Sequence, residues 1–181
     1  MKFIKYILLL AIVAVFTRCT KEKTNNSINI PGLPPATQTG ANTLGFLLNG
    51  MPWVPAGNNG TPNLTIGLDT GVNNVKFFII GAYSDLPQNL TEFKISFPEN
   101  ASASFPVLIN PSLLVGFVSF KDRDGCKRIT SDPSNISNTS ISISKYDKGK
   151  RIVSGNFDSK IYNPACGDTI RITHGRFDLK F

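Results

Sequence analysis

The sequence predicts an all-β fold: an antiparallel sandwich or flattened barrel of about eight or more strands, with little or no helix. Three observations carry that expectation. Apolar residues recur with a period of two through most of the chain after residue 42, as strands with one buried side require. Gly, Asn, Asp, Pro and Ser interrupt those runs at short intervals, as in Asn49–Gly50, Asp124–Gly125 and Lys148–Gly149. No window sustains a capped pattern of period 3.6, and no internal repeat is evident.

Residues 1–18 have the layout of a bacterial export signal. Lys2 and Lys5 form a positive start, and Ile7 to Phe16 is an unbroken apolar run too short to span a bilayer as a helix. Cys19 then stands where a lipoprotein is cleaved and acylated. Arg18 before it departs from the usual Gly, Ala or Ser. A secreted protein cut by the general signal peptidase would need an A-x-A-like site, which this run lacks; an uncleaved leader serving as a short anchor is the other alternative. The lipidated reading places the protein in the cell envelope, anchored to the outer membrane on its periplasmic face or at the cell surface. Residues 19–41 then read as a flexible tether, because TKEKTNNSINIPGLPPATQTG has almost no large apolar side chains with which to offset the entropy of ordering. A coil of that length would separate anchor and domain by roughly 25 Å.

Residues 42–181 are enough for a single β domain with a sizeable core. Leu64, Ile66 and Leu68 alternate with polar or glycine positions, as do Phe93, Ile95 and Phe97. Ile141 and Ile143 share one face, and so do Val153, Phe157 and Ile161. Two stretches, VKFFIIGAY (75–83) and LLVGFVSF (113–120), are apolar on both faces and read as central or doubly covered strands. The final run, DTIRITHGRFDLKF, changes phase. Ile170 and Ile172 are even-numbered, whereas Phe177, Leu179 and Phe181 are odd-numbered, so a regular strand cannot bury both sets on one face. A bulge at His174–Gly175, with the glycine left-handed, restores the phase; coverage of both faces at one end is the alternative.

The stretch LPPATQTGANTLGFLLNGMPWVP (33–55) and the ending GDTIRITHGRFDLKF (167–181), with IVSGNF (152–157), resemble a family of uncharacterised Bacteroidota lipoproteins. Residues 84–138 match that family only loosely. The resemblance implies an exported, lipid-anchored, largely β protein. It supplies no activity or catalytic residue. Where such relatives often carry a cysteine in the first strand this chain has Phe46, so no disulfide partnership transfers to that position. Asp168–Thr169–Ile170 resembles the short O-glycosylation motif of Bacteroidota, a pattern that recurs easily.

The candidate sites are few. The net charge is +7, and removing Lys2, Lys5 and Arg18 with the leader leaves +4. The densest basic group, Lys145, Lys148, Lys150 and Arg151, suits a solvated hairpin tip better than a nucleic-acid footprint. His174 is the one histidine, and no zinc-like spacing surrounds it. No G-x-S-x-G elbow would place a serine nucleophile. Asp122, Asp124 and Gly125 resemble only the opening of a calcium loop. Glu92 and Glu99 are the only glutamates outside the tether. Neither a metal nor another cofactor is expected. Trp53, in GMPWVP, reads first as a plug for one end of the core, and as a candidate ligand contact if its indole is exposed. With Cys19 acylated, Cys126 and Cys166 form the remaining pair and read as a disulfide in an oxidising compartment, two free thiols being the alternative. The expected function is a non-catalytic envelope module that binds a glycan or protein or plays a structural part. The alternative is a small hydrolase acting on envelope or host polymers. A concave surface gathering Trp53, Tyr83 or Tyr162 would favour the first, and converging acidic residues the second.

Overall fold

The computed structural model describes residues 29–58, 60–71, 74–86, 89–99, 107–108, 118–121, 136–164 and 167–181. The leader, Cys19, Cys126, Cys166 and the 122–125 turn fall outside those residues. Among the described residues ten strands are formed: β1 (Thr43–Leu48), β2 (Met51–Trp53), β3 (Leu64–Thr70), β4 (Lys76–Leu86), β5 (Asn89–Pro98), β6 (Val107–Leu108), β7 (Val118–Lys121), β8 (Ile136–Asp147), β9 (Ile152–Asn163) and β10 (Asp168–Lys180). They make two antiparallel sheets, in the orders β2-β1-β10-β9-β8-β6 and β3-β4-β5-β7. The described sheets do not close on one another, so the architecture is a sandwich rather than a barrel. At one edge Ala56 links them to each other: its N–H donates to the Tyr83 carbonyl (3.2 Å), and its carbonyl accepts from the Asp85 N–H (2.9 Å).

The alternating residues meet between the sheets. Phe78, Ile80 and Ala82 of β4 and Phe93, Ile95 and Phe97 of β5 pack against Phe46, Ile141, Ile143, Val153, Phe157, Phe177 and Leu179. Ring pairs cross the gap directly, with centroids 4.8 Å apart for Phe46–Phe93, 5.3 Å for Phe93–Phe157 and 5.8 Å for Phe97–Phe177. Each such ring contributes on the order of 2–3 kcal/mol by burial. The 75–83 run is indeed central, with β4 between β3 and β5, but Phe77, Ile79 and Tyr83 on its second face are only half-buried. Of the 113–120 run, Val118–Phe120 is described, in β7, which pairs with β5 on one side.

Local chemistry sets the turns. Leu48 pairs with Met51, leaving Asn49 (φ 50°) and Gly50 (φ 87°) as a two-residue loop of the type favoured in hairpins. In the hairpin between β8 and β9 the Lys150 N–H donates to the Asp147 carboxylate (2.9 Å), and the left-handed residue is Arg151 (φ 55°), not Gly149.

The phase change in β10 is resolved by a bulge. Ile172 pairs with Ser159 and Gly175 with Phe157, so Thr173 and His174 together oppose Asp158. Ile172, Phe177 and Leu179 consequently all reach the core. One part of the expectation is corrected: the left-handed residue is His174 (φ 55°), and Gly175 is not left-handed. Glycine is required at 175 by space. A Cβ there would lie 2.5 Å from the Phe157 carbonyl oxygen and 2.6 Å from the Phe157 ring.

Candidate functional site

Past the bulge, Phe177 and Leu179 point into the sandwich, so Arg176 and Asp178 belong to the outer face of the six-stranded sheet. Outer-face residues are ordinarily solvated, yet Asp178 is 1% exposed and Arg176 6%. Residues 29–41 are the cause. They lie across this face as a strap, so the tether expected over 19–41 does not extend through them.

The strap is held chiefly by one carboxylate. Asp178 Oδ2 accepts from Thr37 Oγ1 (2.6 Å), Thr39 N (2.9 Å), Thr39 Oγ1 (3.3 Å) and Ala41 N (3.1 Å). Its Oδ1 accepts from Gly40 N (2.8 Å) and from Ser154 Oγ (2.7 Å) on β9. Burial by itself would raise the pKa of this group. The bonds from Thr37, Ser154, Ala41 and Thr39 outweigh it and hold the carboxyl at about 2. The Arg176 guanidinium donates to the Pro34 carbonyl (3.2 Å), and Lys145 Nζ to the Gln38 carbonyl (2.7 Å). Burial pushes Arg176 below its ordinary value. Leu33, 8% exposed, is the strap's one buried apolar side chain.

Between strap and sheet a groove of about 440 Å³ remains open. Its polar lining comes from Thr37 and Gln38 of the strap, Thr43 of β1, Ser144 of β8, Asn156 and Asp158 of β9, and His174 and Arg176 of β10. That volume lies within the range of pockets that hold small ligands. A second cavity, of about 290 Å³, is lined mainly by apolar residues such as Pro34, Leu44, Val54 and Leu64.

The groove contains a serine, a histidine and an aspartate, but they are not arranged for hydrolysis. Asp158 accepts the main-chain N–H of His174 (2.9 Å), which secures the bulge rather than orienting the imidazole as a catalytic triad requires. Among the described residues no three His, Cys, Asp or Glu side chains gather as metal ligands.

Trp53 is corrected as a ligand contact. It is 7% exposed, stacks on Phe46 (centroids 4.6 Å, planes at 16°) and donates its indole N–H to Thr91 Oγ1 (2.7 Å). It serves as the core plug. Tyr83, whose hydroxyl donates to the Thr61 carbonyl (2.6 Å), belongs to the four-stranded sheet; Tyr162, 46% exposed, belongs to the other. No concave aromatic platform unites the three. No protein-family model, curated protein or solved structure matches this chain.

Sequence reasoning missed Asp178 and its strap. A signal was present: an acidic residue within FDLKF, between two core side chains, and a donor-rich TQTGA far upstream. Nothing local connects them.

Proposed function

We propose that this chain is an exported, lipid-anchored protein of the cell envelope, and that it acts as a non-catalytic binding module through the groove between strap and sheet. The observation that carries the binding reading is the groove itself: polar groups from four strands and the strap converge on one cavity, without a nucleophile–base arrangement among the described residues. The export leader, Cys19 and the resemblance to Bacteroidota lipoproteins support the location, on the periplasmic face or the outside of the outer membrane.

Two measurements test the proposal. Detergent-phase partitioning and the mass of the mature N-terminus report acylation: an acylated Cys19, lost in Cys19→Ser, is expected, and a soluble unacylated chain overturns the anchoring. For binding, the mature protein is screened against envelope extract and a glycan panel. A ligand whose affinity falls at least tenfold in Asn156→Ala supports the groove, and unchanged affinity in that variant overturns it.

A further inference from the structure

We infer that the ligand is a uronate-bearing oligosaccharide, lying along the outer face of β9 from the groove to Tyr162. This rests on the reading of the chain as a binding module and adds the chemistry of what is bound.

Asn156, Asp158, Lys160 and Tyr162 alternate along β9, and all four are exposed on the outer face. Two-residue steps of a strand are about 6.6 Å, so the row runs about 20 Å from the groove. That length suits a short saccharide chain rather than one small molecule. The charge pattern then narrows the class. Arg171 of β10 pairs in register with Lys160, and both are exposed. Like charges directly opposite on neighbouring strands repel, and among the described residues neither forms an ion pair. A carboxylate placed between them removes that repulsion, and the guanidinium offers the planar, two-pronged donor geometry a carboxylate accepts. Tyr162, 46% exposed, supplies a ring face for a pyranose beside the basic pair. Asn156 and Asp158, at the groove end, accept and donate as sugar hydroxyls require; an anionic group would avoid Asp158. The row thus has a hydroxyl-binding end, an anion-binding middle and a stacking end.

The test uses the full acylated protein in detergent micelles, with calorimetric titration of three probes. These are an oligogalacturonate tetramer, the same tetramer methyl-esterified, and phosphatidylglycerol vesicles. The acidic tetramer is expected to bind, with affinity falling as salt rises and at least tenfold in the Lys160→Ala/Arg171→Ala double variant. Tyr162→Ala should weaken the acidic and esterified tetramers by the same factor. All three substitutions are at exposed positions, and unchanged thermal unfolding confirms that the fold is retained. Equal affinity for the esterified tetramer overturns the uronate assignment and leaves the binding-module reading standing, as does a groove ligand of another class that the double variant binds normally. Vesicle binding that depends on Lys160 and Arg171, without tetramer binding, overturns it in favour of a lipid-headgroup surface. If nothing in the wider panel binds either, both readings fall together.

Discussion

Asp178 shows how far one side chain can depart from its local expectation. On the outer face of a sheet it would be solvated, but six hydrogen bonds from the strap and Ser154 enclose it. Its folded value, about 2, lies below the ordinary 3.8, so unfolding takes up a proton at low pH. The linked contribution is present above about pH 4 and is lost as pH falls through about 2. It amounts to about 2 kcal/mol. Asp178→Ala should cost about 3–5 kcal/mol at pH 7, because it leaves buried donors unsatisfied. Urea unfolding across pH checks both: the variant's stability should depend less on pH between 4 and 2 than the parent's. Gly175 makes a different case. Gly175→Ala should lose about 2–3 kcal/mol, since the added methyl meets a backbone oxygen that cannot give way. His174→Gly should be nearly neutral in the same assay, because relief of its left-handed strain offsets the added freedom of the unfolded chain. A large loss in His174→Gly would show that the bulge depends on the histidine side chain.

At the level of elements, alternation located the core strands well. Phe93, Ile95 and Phe97 are all buried, as are Ile141 and Ile143, and Val153, Phe157 and Ile161. The pattern is weaker in β3, an edge strand among those described, where Leu68 is 40% exposed. The bulge in β10 was legible because the inward period has to be kept on both sides of it; which residue turns left-handed was not, because Gly175 answers the close approach of Phe157 rather than a positive φ. The strap was not legible at all. Its composition resembles a tether, and its order comes from partners more than a hundred residues away, such as Asp178 and Lys145. A chain beginning at Asn42 should therefore fold with Tm lowered by about 10 °C relative to one beginning at Asn29, reflecting about 3 kcal/mol. Scanning calorimetry on the two chains decides this, and equal Tm values would mean that the strap adds nothing to the domain.

For the whole molecule, the remaining cross-link proposal is Cys126–Cys166, both outside the described residues. Ile136 pairs with Ile161 and Asp168 with Asn163, so β8 begins at the end of the six-stranded sheet where β9 ends and β10 begins. A loop of about 40 residues so closed is worth on the order of 4 kcal/mol in the chain-entropy account. Thiol titration of denatured, unreduced mature protein should find neither cysteine reactive, and Cys126→Ser should lower stability without releasing the protein from membranes. Two titratable thiols would end the proposal.

Period two, turn residues and the phase switch near His174 are properties of neighbouring residues, so the sequence by itself determined the β class, the core-facing positions and the place of the bulge. The proposed export leader and the proposed acylation of Cys19 are likewise readings of the chain alone, because such signals are local. The tertiary structure alone decided the sandwich over the barrel, the burial of Trp53 and the burial of Asp178. It also decided the docking of residues 29–41, and with it the groove. Each of these depends on which distant segment covers a face, and a side chain's burial and hydrogen-bond partners are set by that covering segment rather than by its neighbours in sequence.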